Sequence, residues 1–284
     1  MDTNTGLTIL GTAIGSAKLV EKLLGPTAEY LGGGLKHWTE RRVNNVSRIL
    51  ENARLRLGSK IDNEGAVPPK VLKTILEEGS FCDDELTAEY FGGVLASSRS
   101  EISRDDRGAS FAALVARLTS YQIRSHFFFY NLIKLIFDGD SHSVASSEGR
   151  QALTTYIPFN SYESAMEFSA KEDAVVILNH VMFGLAKENL IEPSFHFGSA
   201  DYMSKQYGDR ASAGIVFAPS ALGAELFLWA YGRGDVNVTR FLEPDIKFVS
   251  NTKIHTVPGF KGLNKKCEET ATDAQQAAVE AHTS

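Results

Sequence analysis

The side chains in this chain best equipped for chemistry do not stand in the arrangements that chemistry needs. Hydrolytic and transfer sites require a nucleophile beside a base, and phosphate sites a glycine-rich turn. None of the patterns HExxH, GxSxG, GxxxxGK[ST] or GxGxxG occurs. The nearest metal-like string is DGDSH at 138–142, with Asp138, Asp140 and His142 alternating. A calcium loop needs an oxygen ligand where His142 stands and a glycine where Ser143 stands, so the string is a poor match. None of the seven histidines has another four residues away, so no helix turn presents two imidazoles to zinc. His180 and His196 read as packed or solvated side chains, and the RGD tripeptide at 233–235 as a turn after a helix. Cys82 and Cys267 are far apart, which rules out a CxxC site or a disulfide framework and fits a reducing cytoplasm. The expectation is a non-enzymatic protein with no cofactor and no metal.

Charge supplies the other candidates. The net charge is -6, which argues against a surface devoted to nucleic acid. Residues 1–60 nevertheless hold nine basic and five acidic residues, a surplus of four on an otherwise acidic chain. Arg41, Arg48 and Arg56 recur with Asn45 and Asn52 on one face of a predicted helix, a polar stripe expected to be solvated. Upstream, Gly11 and Gly15 form a GxxxG step in an apolar stretch, Leu7 to Leu24, that needs burial in protein or lipid. Gly11, Gly15, Arg41, Arg48 and Arg56 are therefore the candidate contact residues for a partner or for an anionic membrane surface.

The elements that must position these residues are mostly helical. The 284 residues, 43% hydrophobic and 23% charged, suffice for a real core, with no run long enough for a conventional membrane span and no recognisable signal peptide. Val43, Val46, Leu50, Ala53 and Leu57 give a helix over 37–59 that Gly58 can end. Helices are expected over 70–78 and 85–97, the latter capped by Asp83 or Asp84. A long helix is expected from about Ala109 to Phe137, capped by Asp105 or Asp106. Short strands are expected at 154–159 and 215–218, and helices at 175–189, behind a capping box from Ser169 to Glu172, and from Pro219 to Gly232. The fold class expected is mainly α, an N-terminal helical bundle followed by a small α+β winged-helix-like unit. The expected segments are 1–61, 62–150, 151–257 and a disordered tail over 258–284.

Four stretches resemble the bacterial abortive infection alpha (Abi-alpha) family. They are GPTAEYLG at 25–32, RVNNVSRILE at 42–51, VPPKVL at 67–72 followed by DELTAEYFGGVLA at 84–96, and PSALG at 219–223 with Leu226 and Phe227. Gly92-Gly93 departs from the family, which more often has a large residue followed by Ala; this helix is then weak or tightly packed. The resemblance implies a role in defence against phage and carries no catalytic residues with it. The expected role is a cytoplasmic sensor or adaptor that binds a phage or host protein through the C-terminal unit. Nucleic acid is a disfavoured partner, because the helix near 174–189 carries only Lys187 and Glu188 as charges. The alternative is a membrane-associating effector, peripheral on the inner membrane, that uses the N-terminal apolar helix. The sequence leaves the oligomeric state open.

Overall fold

The computed structural model describes residues 17–24, 40–102, 104–207, 212–248, 250, 252 and 259–263. These residues are mainly helical, with one small antiparallel sheet of four strands. None of their helices is long and apolar enough to cross a membrane. Gly11, Gly15 and most of the expected tail lie outside the described residues. The chain divides into two compact units that cut across the expected segment boundaries. The first comprises 1–123, 225–237 and 248–252, and the second the remainder.

The first unit is helical. Helix α1 (Ala17–Leu24) buries Val20, Leu23 and Leu24 and ties Lys22 to Asp62 at 2.5 Å, so this end of the apolar stretch packs within the protein. Helix α2 (Glu40–Leu57) ends at Gly58, whose φ of +52° is the left-handed conformation glycine adopts most easily, and a 3-10 turn, Gly58–Asp62, follows. Pro69 opens α3 (Pro69–Gly79), where its missing N–H costs nothing. Asp84 caps α4 (Glu85–Ser97) by accepting from Thr87 N at 2.8 Å.

Helices α2 and α4 pack face to face, and Gly92 explains how closely. A Cβ on Gly92 would stand 2.9 Å from Ile49 O and 2.5 Å from Asn52 Cβ, and one on Gly93 would overlap the Ala230 carbonyl. The glycine pair therefore marks close backbone approach on both sides of α4, which offsets its helix-propensity cost of about 1 kcal/mol per glycine.

The long helix expected over 109–137 is two helices, α5 (Gly108–Arg117) and α6 (Ser120–Ile136). Leu118 is extended, with ψ 139°. Thr119 and Gln122 then cap each other, Thr119 N donating to Oε1 at 2.9 Å and Gln122 N to Oγ1 at 3.3 Å. The aspartates expected to cap this region do other work: Asp105 pairs with Arg107, and Asp106 with Lys70. Trp229, in the later turns of α11 (Ala221–Ala230), stacks on Phe111 at 4.7 Å.

In the second unit, Phe127, Phe128, Phe129 and Tyr130 of α6 are all buried, as an all-round apolar helix requires. The chain continues through α7 (Ser147–Ala152), β1 (Thr155–Pro158), α8 (Phe159–Met166), α9 (Ala174–Lys187), β2 (His196–Gly198), α10 (Ala200–Tyr207), β3 (Gly214–Phe217), the opening of α11, and β4 (Lys261–Gly262). The strand order is β2-β3-β1-β4, with Thr155 opposite both Phe217 and Gly262. The inner strands β1 and β3 are buried throughout, whereas β2 is partly open to solvent. Phe129 stacks on Phe217 at 4.3 Å, and Tyr130 Oη donates to Leu190 O at 2.7 Å and accepts from Ser220 N. Two expectations need correction. Lys261 and Gly262, placed in the tail, pair with β1. Glu172 accepts from Ser169 N as expected, but this closes a turn before α9, whose own cap is Asp173.

Candidate functional site

Helix α9 begins at Asp173, whose Oδ1 accepts from Val175 N at 3.0 Å and Val176 N at 3.1 Å. Leu178, Val181, Met182 and Leu185 fill its buried face at helical spacing. The other side carries Val175, Val176 and Phe183 beside the polar Asn179, His180 and Lys187, and among the described residues it is covered only in part. Val175 is 56% exposed, Val176 63% and Phe183 62%, with Lys187 exposed on the same helix. Large apolar side chains left in water on one helix face mark an interaction surface more often than chance exposure does.

The chain then turns sharply. Asn189 takes the left-handed conformation at φ 56°, and Leu190 N reaches back to Leu185 O at 2.8 Å, which closes the helix end. This turn sends Pro193 to Phe197 along the C-terminal end of α9. Phe195 meets Phe183 edge-on at 5.3 Å and lies parallel to Phe197 at 6.1 Å. Tyr202 Oη and His196 Nδ1 are 3.3 Å apart at the other rim. Between α9 and β2 lies a shallow cleft of about 550 Å³ whose ionisable lining, apart from the Tyr202 phenol, is Lys187 and His196. No carboxylate lines it, and Glu192, close by in sequence, is held by Arg150 Nε at 2.6 Å.

The predicted contact residues lie elsewhere. Gly11 and Gly15 are outside the described residues, and the arginines belong to the first unit. Their stripe on α2 is solvated only in part, at Arg41. Asn45 is buried, with its amide on Ser80 O at 3.0 Å, and Arg48 Nη2 donates to Cys82 O at 3.0 Å and Asn45 Oδ1 at 2.9 Å. Arg41, largely exposed, is salt-bridged to Asp83, whose carboxyl is held below its usual range by that hydrogen bond and by Asn45. Arg56 is the most enclosed. Its guanidinium lies 4.5 Å over the Tyr231 ring and 3.0 Å from Glu89, and burial lowers its pKa. Glu89 also accepts from Ser250 Oγ and Thr252 Oγ1, each at 2.8 Å. The loop at 80–83 and helix α4 thus engage charges that the helical pattern assigned to water.

Reactive groups elsewhere are quiet. Burial, with the Asp84 carboxylate, pushes the Cys82 thiol up to about 11, which leaves little thiolate at neutral pH. His126 is fully buried with Nε2 3.0 Å from Gly223 O, and burial lowers it to about 3. Among the described residues no group of three or more metal-ligating side chains converges. Asp140 Oδ1 instead binds the backbone N and Nδ1 of His142.

No protein-family model matches this chain, and no curated protein or solved structure matches it. The site therefore stands on its own geometry. Sequence reasoning missed Phe183, Phe195, Phe197 and Tyr202 as surface residues. The available signal was the surplus of apolar residues in AVVILNHVMFGLAK, more than one buried face can use, followed closely by two phenylalanines flanking His196.

Proposed function

We propose that this protein is a non-enzymatic adaptor or sensor of the Abi-alpha type in bacterial phage defence, which binds a phage or host protein through the exposed apolar face of α9. The observation that carries this reading is the exposure of Val175, Val176 and Phe183 on a helix whose opposite face is fully packed. The phage-defence role rests on the resemblance of residues 42–51, 67–72, 84–96 and 219–223 to that family. A cytoplasmic setting accords with the cysteine usage.

The order α7, β1, α8, α9, β2, β3, with β3 pairing antiparallel to both β1 and β2, supports a winged-helix-like reading of this part of the chain. In that reading α9 takes the place of the helix that DNA-reading proteins of this shape put into the major groove. Lys187 is its single basic residue apart from His180, too little to neutralise several phosphates, so α9 suits a protein partner better than a duplex.

The test places a photo-crosslinking residue at Val176 of the full chain in extracts of phage-infected and uninfected bacteria. The expected result is one discrete adduct that disappears in Val175→Glu, with an unchanged melting temperature and a parallel loss of plaque protection. No adduct in either extract overturns the proposal. Flotation of the full chain on anionic vesicles, abolished by Arg41→Glu, would favour the membrane alternative instead.

A further inference from the structure

We infer that the cleft between α9 and β2 receives an extended acidic peptide segment of the partner, one that adds a strand to the free edge of β2 and seats an aromatic or long aliphatic side chain against Phe183, Phe195 and Phe197. This rests on the protein-binding role proposed above and names the chemistry of the partner. Three observations converge on it.

The first is topological. Strand β2 ends the sheet, paired only with β3 through His196 opposite Val216 and Phe197 opposite Ile215, so among the described residues its other edge has no strand beside it. Such an edge offers main-chain hydrogen bonds to an incoming segment. The second is the wall. The Phe195 ring packs against Phe183 at 5.3 Å and Phe197 at 6.1 Å, and preorganised aromatics bind a side chain with little loss of conformational freedom. The third is charge. On a chain of net charge -6, no lining residue is a carboxylate, and the basic side chain Lys187 lines the cleft. An acidic side chain beside the apolar anchor is therefore complementary, whereas a basic one finds no counter-ion. A single-stranded nucleic acid could also stack on these rings, but one lysine per cleft falls short of the several cations a tracked backbone requires.

The test selects random short peptides displayed on phage against the full chain, then measures the enriched sequence as a fluorescent probe by anisotropy. The expected consensus alternates apolar and polar residues around one aromatic or aliphatic anchor with a flanking Asp or Glu. Phe183 and Lys187 are exposed, so Phe183→Ala and Lys187→Glu should fold normally. Phe183→Ala should weaken the probe about tenfold or more, as loss of a central anchor does. Lys187→Glu should weaken it similarly and shift preference to a probe with Lys in place of the acid. Deuterium exchange at the backbone of 195–198 should slow on binding. The inference fails if no sequence is enriched, if the consensus is basic, if Phe183→Ala leaves binding unchanged, or if an oligothymidylate probe binds the cleft and displaces the peptide. An adduct at Val176 in infected extract together with any of those outcomes would leave the adaptor role standing and remove only this mode of recognition.

Discussion

Arg56 Nη2 donates to Glu89 Oε2 across 3.0 Å with the two side chains only 12% and 3% exposed, so α2 and α4 share an ion pair largely withdrawn from water. Removing one partner strands the other. Glu89→Ala should cost about 3–5 kcal/mol in denaturant unfolding, because Arg56, Ser250 and Thr252 all lose their acceptor. Glu89→Gln, which keeps an acceptor oxygen, should cost clearly less. The combined change Arg56→Met with Glu89→Leu should cost less than the two single changes added together. Equal losses for Gln and Ala would show that an acceptor oxygen alone does not serve these neighbours and that the charge, or both carboxylate oxygens, is required.

Gly93 tests the close approach on the other side of α4. Gly93→Ala drives a methyl into the Ala230 carbonyl, backbone that cannot rotate away. A loss of about 1–3 kcal/mol or more is expected, despite the better helix propensity of alanine. Gly58→Ala meets no atom within 4 Å and pays only for its positive φ, about 1 kcal/mol. Thermal melts of the two variants should rank in that order.

His126 predicts a dependence on pH. Its folded pKa of about 3 lies below the ordinary value of 6.5, so between those values the unfolded chain takes up a proton that the folded chain refuses. Stability from this group is complete above about pH 6.5 and falls as pH drops toward 3, with a slope approaching about 1.4 kcal/mol per pH unit. His126→Gln, whose amide can still donate to Gly223 O, should flatten the unfolding profile in that window. An unchanged slope would place the titration elsewhere.

Cys82 should be a slow thiol. In a Cys267→Ser background, a rise from 9.0 to about 11 leaves roughly 100-fold less thiolate at pH 8. Labelling by a disulfide reagent should be slower than in the unfolded chain by at least that factor. Comparable rates would mean that the turn after α3 opens readily.

Much of the helical layout was legible because its signals are local. Asp84 before an apolar run, Pro68-Pro69 and the periodicity of Val46, Leu50 and Ala53 each act within a few residues, and α2, α3 and α4 form where these signals lie. The break between α5 and α6 was missed although its signal is local: Thr119 and Gln122 have capping-box spacing, masked by the apolar residues on either side. Strand β2 carried a weaker signal, since three residues cannot establish an alternation.

What the sequence determined by itself was composition class, helix-rich character and the polarity of each helix face, because those follow from the identity and spacing of near neighbours. Which faces are covered was decided only in three dimensions. The polar stripe of α2 is engaged through contacts 33 to 38 residues away, from Arg56 to Glu89 and from Asn45 to Ser80 and Asp83, and Glu89 is reached from 161 residues further on. On α9, Phe195 meets Phe183, while Val175 and Val176 stay more than half exposed. Periodicity states what a surface is made of; only the tertiary contacts state whether water, protein or nothing yet bound lies against it.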